Sequence, residues 1–332
     1  MKKTKSFKWL RTVGFLSLSL WILISFLSGS SFAAQEDFPK KEITIIVSMA
    51  AGGGRDTLCR GLARTMSKYL GVPMVVMNFP GAGGVIGYTK TYQSAPDGYT
   101  LGTIAMPDVF HQLVEKTDYD VRKSIYLGRA LSSSGNWFVH PDSPFRSVKD
   151  LKTYGKSIRY SAFTYGSPET IVAMVVADRE GWPLKIIGGY KGALPSALAL
   201  VRGDVDLTGA YYGGVGELAR AGKIRAILTM GPKRVPEVPD VPTVGEMGHP
   251  DLEIFTLDTC LHAPPGVPKD RIEILENAFM KTLQDPEFVQ WAKGAKLGVA
   301  WLNGAETTKR IYGLFDVLGK YKGTIEKYME KK

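Results

Sequence analysis

Three consecutive glycines, Gly52, Gly53 and Gly54, precede Arg55 and Asp56 in a run whose residue types could bind an anion. Before them lies a short apolar run, residues 43–47, that predicts a buried strand. After them, leucine or methionine recurs at every fourth position, as on one face of a helix (Leu58, Leu62, Met66 and Leu70). The first N–H groups of a helix lack intrahelical partners and carry positive potential, and glycines let a ligand approach the backbone. The run therefore predicts a site for a small anion such as a carboxylate.

The residues after the glycines limit which anion could bind. A phosphate-binding loop of the form G-x-x-x-x-G-K-[ST] needs a lysine that is missing here, so the sequence excludes a nucleotide P-loop. A tight turn without any ligand is the alternative. Asp56 is predicted to cap the helix by accepting hydrogen bonds from N–H groups two or three residues ahead. Arg55 could either pair with a ligand carboxylate or point to solvent, and the sequence leaves both open.

A second helix start is predicted within residues 162–170, after another apolar run. Ser167 is suited to the N-cap position and Pro168 to the first helical position. Two helix N-termini that face each other across a cleft would bind an anion from both sides. A further glycine cluster, residues 81–87, misses the G-x-G-x-x-G spacing by one residue, so it predicts a packing turn rather than a dinucleotide site.

The sequence lacks the patterns that indicate catalysis or metal binding. Its four histidines share no metal-ligand spacing, and no G-x-S-x-G motif marks a nucleophile. We therefore predict no enzyme activity, no catalytic residue, no metal and no cofactor. The two cysteines, Cys59 and Cys260, are interpreted as buried free thiols, with a disulfide as the alternative that an exported protein permits.

The N-terminus predicts export. Five basic residues precede an apolar segment that ends in small residues near Ala33, which is typical of a signal peptide covering residues 1–33 (Lys2, Lys3, Lys5, Lys8 and Arg11). Without those five charges, the net charge falls from +10 to +5, since 10 − 5 = 5. The remaining basic residues are scattered, so we expect no nucleic-acid partner, and a mild excess of positive charge favours anionic ligands.

Short apolar runs alternate with helical patterns through the mature chain, which predicts an α/β fold with parallel sheets. The predicted strands are residues 43–47, 74–77, 101–105, 137–139, 158–160, 184–187, 205–207, 224–230 and 255–261. Proline-rich stretches at 139–144 and 232–250 are interpreted as crossings between two domains. Asn303 with Glu306 predicts the capped start of a last helix that runs toward Tyr328, and the C-terminal helices are expected to pack on the first domain.

Taken in order, the motifs of the mature chain resemble those of the extracytoplasmic solute receptors of tripartite tricarboxylate transporters, the TctC or Bug family. The motifs that carry the resemblance lie at residues 38–39, 51–56, 78–84, 95–101, 190–192, 203–206, 221–226, 239–244 and 263–268. The resemblance implies a type II periplasmic-binding-protein fold with two α/β domains joined by two crossing strands. The first domain would comprise residues 34–137 with 255–332, and the second residues 138–254. We expect a monomer.

The resemblance further implies a carboxylate ligand in the interdomain cleft, held by the loops at residues 50–56 and 166–170. Positions matching 103–107 and 190–192 would line or close that cleft. The candidate ligand-binding residues are Ala51, Gly52, Gly53, Gly54, Arg55, Asp56, Thr103, Ala105, Met106, Phe163, Gly166, Ser167, Pro168, Glu169, Thr170, Tyr190, Lys191 and Tyr211. Arg55 departs from the family pattern, and the aromatic residues Phe163, Tyr211 and Tyr212 suggest a flatter or more aromatic ligand than citrate.

The function implied is a periplasmic receptor that captures a small organic acid and delivers it to the membrane subunits of a tripartite tricarboxylate-type transporter. The alternative is a periplasmic sensor that feeds a two-component system. An exported enzyme is the third possibility.

Overall fold

The computed structural model describes residues 37–295 and 297–330, so the predicted signal peptide lies outside the described residues. The compact unit Pro39–Lys332 contains two β-sheets with helices around them. The strands are β1 Ile43–Val47, β2 Met74–Asn78, β3 Thr100–Ile104, β4 Ile125–Ser133, β5 Gly135–Val139, β6 Ile158–Ser161, β7 Leu184–Ile187, β8 Leu207–Tyr211, β9 Arg225–Thr229, β10 Leu257–Ala263 and β11 Val299–Asn303.

Eleven helices belong to the described part of the chain. They are α1 Gly54–Leu70, α2 Val85–Tyr92, α3 Met106–Val114, α4 Val148–Thr153, α5 Pro168–Glu180, α6 Ala193–Val201, α7 Tyr212–Arg220, α8 Lys269–Gln284, α9 Pro286–Gly294, α10 Gly304–Lys320 and α11 Lys322–Met329. Short 3₁₀ turns occur at Ala82–Gly84 and Pro250–Ile254.

Both sheets combine parallel strands with reversed ones: β10 and β11 in the first sheet, and β5 in the second. The first has the order β11-β4-β10-β3-β1-β2, with β1 parallel to β2 and β3, and β10 antiparallel to β3 and β4. The second has the order β7-β6-β8-β5-β9, with β6 parallel to β7 and β8, and β5 antiparallel to β8 and β9. Parallel strands joined by helices direct the following helix starts to one edge of each sheet.

The chain passes between the two sheets at two places. It leaves the first sheet after β4 and enters the second at β5, with only Ser134 between them. It returns within residues 230–256, which include the predicted crossing at 232–250. The first passage lies upstream of the predicted turn at 139–144, which follows β5 instead. The boundaries predicted for the two domains, at residues 137/138 and 254/255, stay a prediction.

Most predicted strands match observed ones within a few residues, with three differences. The sequence patterns did not predict β4 or β11. In β4, Gly128 and Arg129 interrupt the apolar run, and β11 is a short strand with an exposed Trp301. The strand predicted at 205–207 begins only at Leu207. Asp206 instead accepts hydrogen bonds from the backbone and side chain of Arg159, at 2.8 and 3.0 Å.

The C-terminal segment differs from the single last helix that was predicted. Asn303 does cap α10, since its side chain accepts a hydrogen bond from Glu306 N at 2.9 Å. The helix ends at Lys320, and a separate helix, α11, follows Tyr321. α10 packs on β4 and α3, as expected for the first domain, whereas α11 packs mainly on α5 beside the second sheet and also contacts α3. Lys327 pairs there with Asp178 at 2.6 Å.

One apolar core extends across the two sheets. It contains Tyr88, Ile104 and Phe110 from the first half and Trp137 and Ile171 from the second, all of them buried. The helix starts of both halves are therefore held against a continuous packed layer.

Candidate functional site

The first half of the site is the loop between β1 and α1. Gly52 has a positive φ of 85°, a conformation that favours glycine, and Gly53 occupies the N-cap position without a side-chain cap. The carboxylate of Asp56 accepts hydrogen bonds from Gly52 N at 2.9 Å, from Arg60 Nε at 3.0 Å and from Asn78 Nδ2 at 3.0 Å. The prediction that Asp56 caps the helix forward is therefore wrong. From the first turn of α1, the carboxylate of Asp56 points back to the loop and holds it in place through the bond with Gly52 N.

The charge of Asp56 is neutralised where it lies. The hydrogen bond from Arg60 holds the pKa of Asp56 below its ordinary value, so the carboxylate is ionised and paired. The glycines before it are exposed, and their surroundings are open: a side chain at Gly54 would meet no atom within 4 Å. The helix start can thus present its free N–H groups to an anion without opposition from its own acidic residue.

Arg55 turns inward along the end of β1. Its Nη1 donates to Ser48 Oγ at 3.0 Å, and the side chain is half-buried rather than directed to solvent. The guanidinium also lowers the pKa of the buried Asp108, against the larger effect of burial. Arg55 therefore supplies positive charge to the interior edge of the first sheet.

A third helix start, that of α3, lies at the same edge because β3 runs parallel to β1. Asp108 Oδ2 accepts a hydrogen bond from Ala105 N at 2.8 Å, whereas Oδ1 has no hydrogen-bond partner among the described residues. Burial raises the pKa of Asp108 to about 6. Gly84 packs so closely that an added methyl group would lie 2.5 Å from Asp108 Oδ1. The residues 81–87 thus form the close packing turn that was predicted.

The second half of the site is the start of α5. Ser167 is its N-cap, with Oγ accepting from Thr170 N at 3.4 Å, and Pro168 is its first residue, as predicted. Glu169 follows in the first turn with only 8% of its surface exposed. Burial raises the pKa of Glu169 to about 7, while the neighbouring hydroxyls of Tyr211 and Ser167 lower it. This acid has a different environment from Asp56.

The two edges of the sheets face each other where α3 meets the loop before α5. A methyl group added at Gly166 would lie 2.5 Å from Phe110 Cδ1, so the Phe110 ring lies directly on this glycine. Phe110 is buried. The starts of α3 and α5, from different sheets, are consequently neighbours.

Comparison with known proteins assigns this arrangement to a family. Residues 58–327 match the family described as the tripartite tricarboxylate transporter family receptor, TctC. The chain belongs to the TctC family. A relative from Cupriavidus necator, named UPF0065 protein in gbd 5'region, is 31% identical over 307 residues, which are 88% of this chain and 92% of the relative.

Solved structures share the fold, among them one of a TctC protein. The crystal structure of a TctC solute-binding protein from Polaromonas superposes with a TM-score of 0.73 at 25% identity, and covers 87% of this chain and 99% of that one. MatC from Rhodopseudomonas palustris with bound malate superposes with a TM-score of 0.70 at 23% identity, covering 87% and 100% of the two chains. The predicted type II periplasmic-binding-protein fold is confirmed, and the chain is a solute-binding receptor of the periplasmic type.

The residues predicted to bind ligand in this TctC protein occupy both sheet edges, in two groups. Those at the loop tips are exposed or half-buried: Ala51, Gly52, Gly53, Gly54, Arg55, Phe163, Tyr190, Lys191 and Tyr211. The others are buried beneath them: Asp56, Thr103, Ala105, Gly166, Ser167, Pro168, Glu169 and Thr170. Met106 is the first residue of α3. Their role in binding stays a prediction.

Sequence reasoning missed Ser48 and Asp108, which the structure places at the first edge. Ser48 contacts Arg55, and Asp108 stands three residues after Ala105 at the start of α3. Proline followed by aspartate after an apolar strand is a helix-start signal, so Asp108 could have been found from sequence. Nothing local marks Ser48, because its importance comes from the distant Gly84 and from Arg55.

Several other features of the TctC chain lie outside this site. Cys59 and Cys260 are buried and unbridged, as the free-thiol interpretation predicted, and burial raises the pKa of Cys59 to about 12. Within residues 37–295 and 297–330, no group of His, Cys, Asp and Glu could hold a metal ion, and no helix has the length and apolar character to span a bilayer.

Two surface cavities also lie away from the site. One, of about 460 Å³, lies beside β1 and β2 and is lined by residues that include Phe79 and Lys90. The other, of about 510 Å³, lies beside β9 and is lined by residues that include Tyr212 and Arg225. No predicted site residue lines either of these two cavities.

Proposed function

We propose that this receptor binds a small organic acid between the starts of α1 and α5 and delivers it to the membrane subunits of a tripartite tricarboxylate-type transporter. The observation that carries the proposal is the loop at Gly52–Gly54. There the acidic residue of the first helical turn, Asp56, is paired with Arg60, and the backbone is exposed and unobstructed. A carboxylate can accept hydrogen bonds from such N–H groups and gain from the helix dipole.

The second sheet would complete the site by closing over the ligand. In this proposal residues 34–137 with 255–332 move as one domain and residues 138–254 as the other, about the two passages between the sheets. The contact of Phe110 with Gly166 is the kind of interdomain contact that closure would form. The signal peptide would be removed near Ala33, which places the mature receptor in the periplasm as a monomer.

The proposal can be tested by blocking access to the backbone N–H groups of the loop with a side chain. Gly53 has an extended conformation, and the nearest atom to a side chain built there is Ala50 O at 3.8 Å, so Gly53→Val should fold. Its isopropyl group would cover the N–H groups of the helix start. Gly294→Val is the matched control, because Gly294 is exposed in α9 with no atom within 4 Å of an added Cβ.

Binding is measured by thermal shift and titration calorimetry with succinate, malate, glutarate, adipate and benzoate. An acid present at about 100 times its Kd should stabilise the wild type by about 2.7 kcal/mol. We expect Gly53→Val to weaken binding of that acid at least about tenfold, or about 1.4 kcal/mol, and Gly294→Val to bind like wild type. Equal affinity in the two variants would place the anion elsewhere.

A further inference from the structure

The carboxyl group of Glu169 is a buried hydrogen-bond acceptor, and its hydrogen bonds are incomplete among the described residues. Only 8% of the residue's surface is exposed, and Oε2 has no hydrogen-bond partner among the described residues. The groups that govern its pKa are burial, the backbone, and the hydroxyls of Tyr211 and Ser167. Buried polar atoms in proteins are nearly always hydrogen-bonded, so an exception of this kind calls for a partner.

The neighbours of Glu169 keep the carboxyl in place without neutralising it. Its side chain crosses β8 at Gly209, where an added methyl group would overlap both Glu169 and the Tyr160 hydroxyl. The Tyr160 hydroxyl also lacks a hydrogen-bond partner among the described residues. The hydroxyl of Tyr211, at the end of β8, lies close enough to the carboxyl to lower its pKa, and it too lacks a hydrogen-bond partner among the described residues. One carboxyl oxygen and two hydroxyl groups without hydrogen-bond partners among the described residues thus lie near one another at the edge of the second sheet.

That point belongs to the proposed ligand site. Glu169 lies in the first turn of α5, three residues after Gly166, and Gly166 contacts Phe110 of the opposite half. β6 and β8 are parallel, so the starts of α5 and α7 lie at the same edge. A ligand held between the starts of α1 and α5 would lie against the helix turn that carries Glu169.

We propose that Glu169 selects acids that carry a hydroxyl or ammonium group beside a carboxylate over plain dicarboxylic acids of the same length. This inference rests on the proposed function. A ligand donor would give Oε2 its missing hydrogen bond, whereas a plain dicarboxylate would bring only further acceptors and negative charge. A site built around a polar group rejects the analogue that lacks the matching group much more strongly than an apolar pocket can.

The experiment compares matched acids by titration calorimetry on the full mature receptor. The sets are succinate, malate and aspartate; glutarate, 2-hydroxyglutarate and glutamate; and adipate, 2-hydroxyadipate and 2-aminoadipate. In the set of the best-fitting length, a donor-bearing acid should bind at least about tenfold tighter than the plain one. The hydroxy and amino members of that set show which donor is preferred.

Three variants test whether Glu169 causes this preference. Glu169→Met, which has a similar shape and no acceptor oxygen, should remove it. Glu169→Gln keeps one neutral acceptor and should retain part of it. Glu180→Gln, at the other end of α5, removes a carboxylate that pairs with Lys152 on the surface and should keep the wild-type preference.

The possible results separate the inference from the proposed function. Plain and donor-bearing acids that bind equally to wild type would overturn the inference and leave the receptor function intact. A preference that survives in Glu169→Met would also overturn it. If Glu169→Met does not fold, an undiminished preference in Glu169→Gln would overturn it. Failure of every acid to bind wild type would overturn both.

Discussion

The starts of α1 and α5 use the same local design with opposite electrostatics. Each follows a strand at the parallel edge of its sheet, and each has an acidic residue in its first turn. At α1 the acid, Asp56, pairs with Arg60, and its pKa is lowered. At α5 the acid, Glu169, has hydroxyl neighbours, and burial raises its pKa to about 7. The start of α1 is therefore prepared for an anion, and the start of α5 offers an acceptor.

The difference comes from residues that are distant in sequence. Asn78 on β2 completes the hydrogen bonds of Asp56, and Tyr211 on β8 supplies a neighbour for Glu169. A carboxylate pKa falls when a cation and donors surround it and rises when it is desolvated. Helix starts that look alike in sequence can consequently differ in charge, and only tertiary contacts decide which they carry.

The largest effect, on stability, is expected from removing Asp56, the acid that is paired with Arg60. Asp56→Ala deletes the hydrogen bonds to Gly52 N, Arg60 and Asn78, and leaves the loop unsupported. We expect a loss of about 2–4 kcal/mol in the free energy of unfolding, measured by urea denaturation at pH 7, because several charged hydrogen bonds are lost together.

The control for Asp56→Ala is an exposed pair on the same half. Glu287→Gln removes the surface ion pair with Lys68, in which the two side chains are 71% and 51% exposed, and should change stability by no more than about 0.5 kcal/mol. If both variants lose the same amount, Asp56 does not organise the loop.

The unpaired acid should behave in the opposite way. The pKa of Glu169 is raised in the folded state from 4.5 to about 7, so its stabilising contribution is complete below pH 4.5 and is lost as pH rises through 7. Glu169→Gln should therefore stabilise the free receptor by about 1–3 kcal/mol at pH 8 and have little effect at pH 5.

Thermal unfolding of both proteins at pH 5 and pH 8, without ligand, measures this difference. Comparing variant with wild type at each pH cancels other titrating groups, such as the buried His262, whose pKa is lowered to about 3. If the variant is no more stabilised at pH 8 than at pH 5, the charge of ionised Glu169 must be balanced by other groups in the folded protein.

A smaller effect is expected from replacing Arg55. Without it, the buried acid at the first half, Asp108, would lack a nearby cation, as Glu169 does at the second. Arg55→Ala takes away the bond to Ser48 and the charge that faces Asp108. Binding of the best acid from the panel should weaken about tenfold, since a charged hydrogen bond contributes about 1.5–3 kcal/mol. Calorimetry on Arg55→Ala and Arg55→Lys is the measurement, and Lys should recover only part because it lacks the planar guanidinium. An alanine variant within twofold of wild type would show that Arg55 is only structural.

Sequence patterns predicted the local elements of this molecule well. The β1–glycine–α1 unit, the Ser167–Pro168 helix start and the Asn303–Glu306 cap all appear where the residues place them. These features depend on the backbone preferences of a few adjacent residues, and those preferences can be predicted from the residue types. The family was likewise evident from short motifs spread along the chain.

What sequence could not predict depends on contacts between distant residues. The backward turn of Asp56 onto Gly52 requires Asn78 and Arg60 to be in place. β11 is too short and too exposed to stand out without its partner β4. The first passage between the sheets uses serine and glycine, Ser134 and Gly135, rather than the proline turn that follows, because two adjacent strands need no longer linker.

The position of α11 has a consequence for local unfolding. A helix of eight residues is too short to persist alone in water, where isolated helices below about 12–15 residues are marginal. Its stability comes from the burial of Ile325 and Tyr328 and from the bonds of Thr324 and Lys327 to Asp178 on α5. The amides of α11 should therefore exchange with solvent as one cooperative group, with an opening free energy to which the contacts with α5 contribute most. Hydrogen exchange at the very end of the chain thus reports on the integrity of a helix that lies about 150 residues earlier, as the separation of 149 between Lys327 and Asp178 shows.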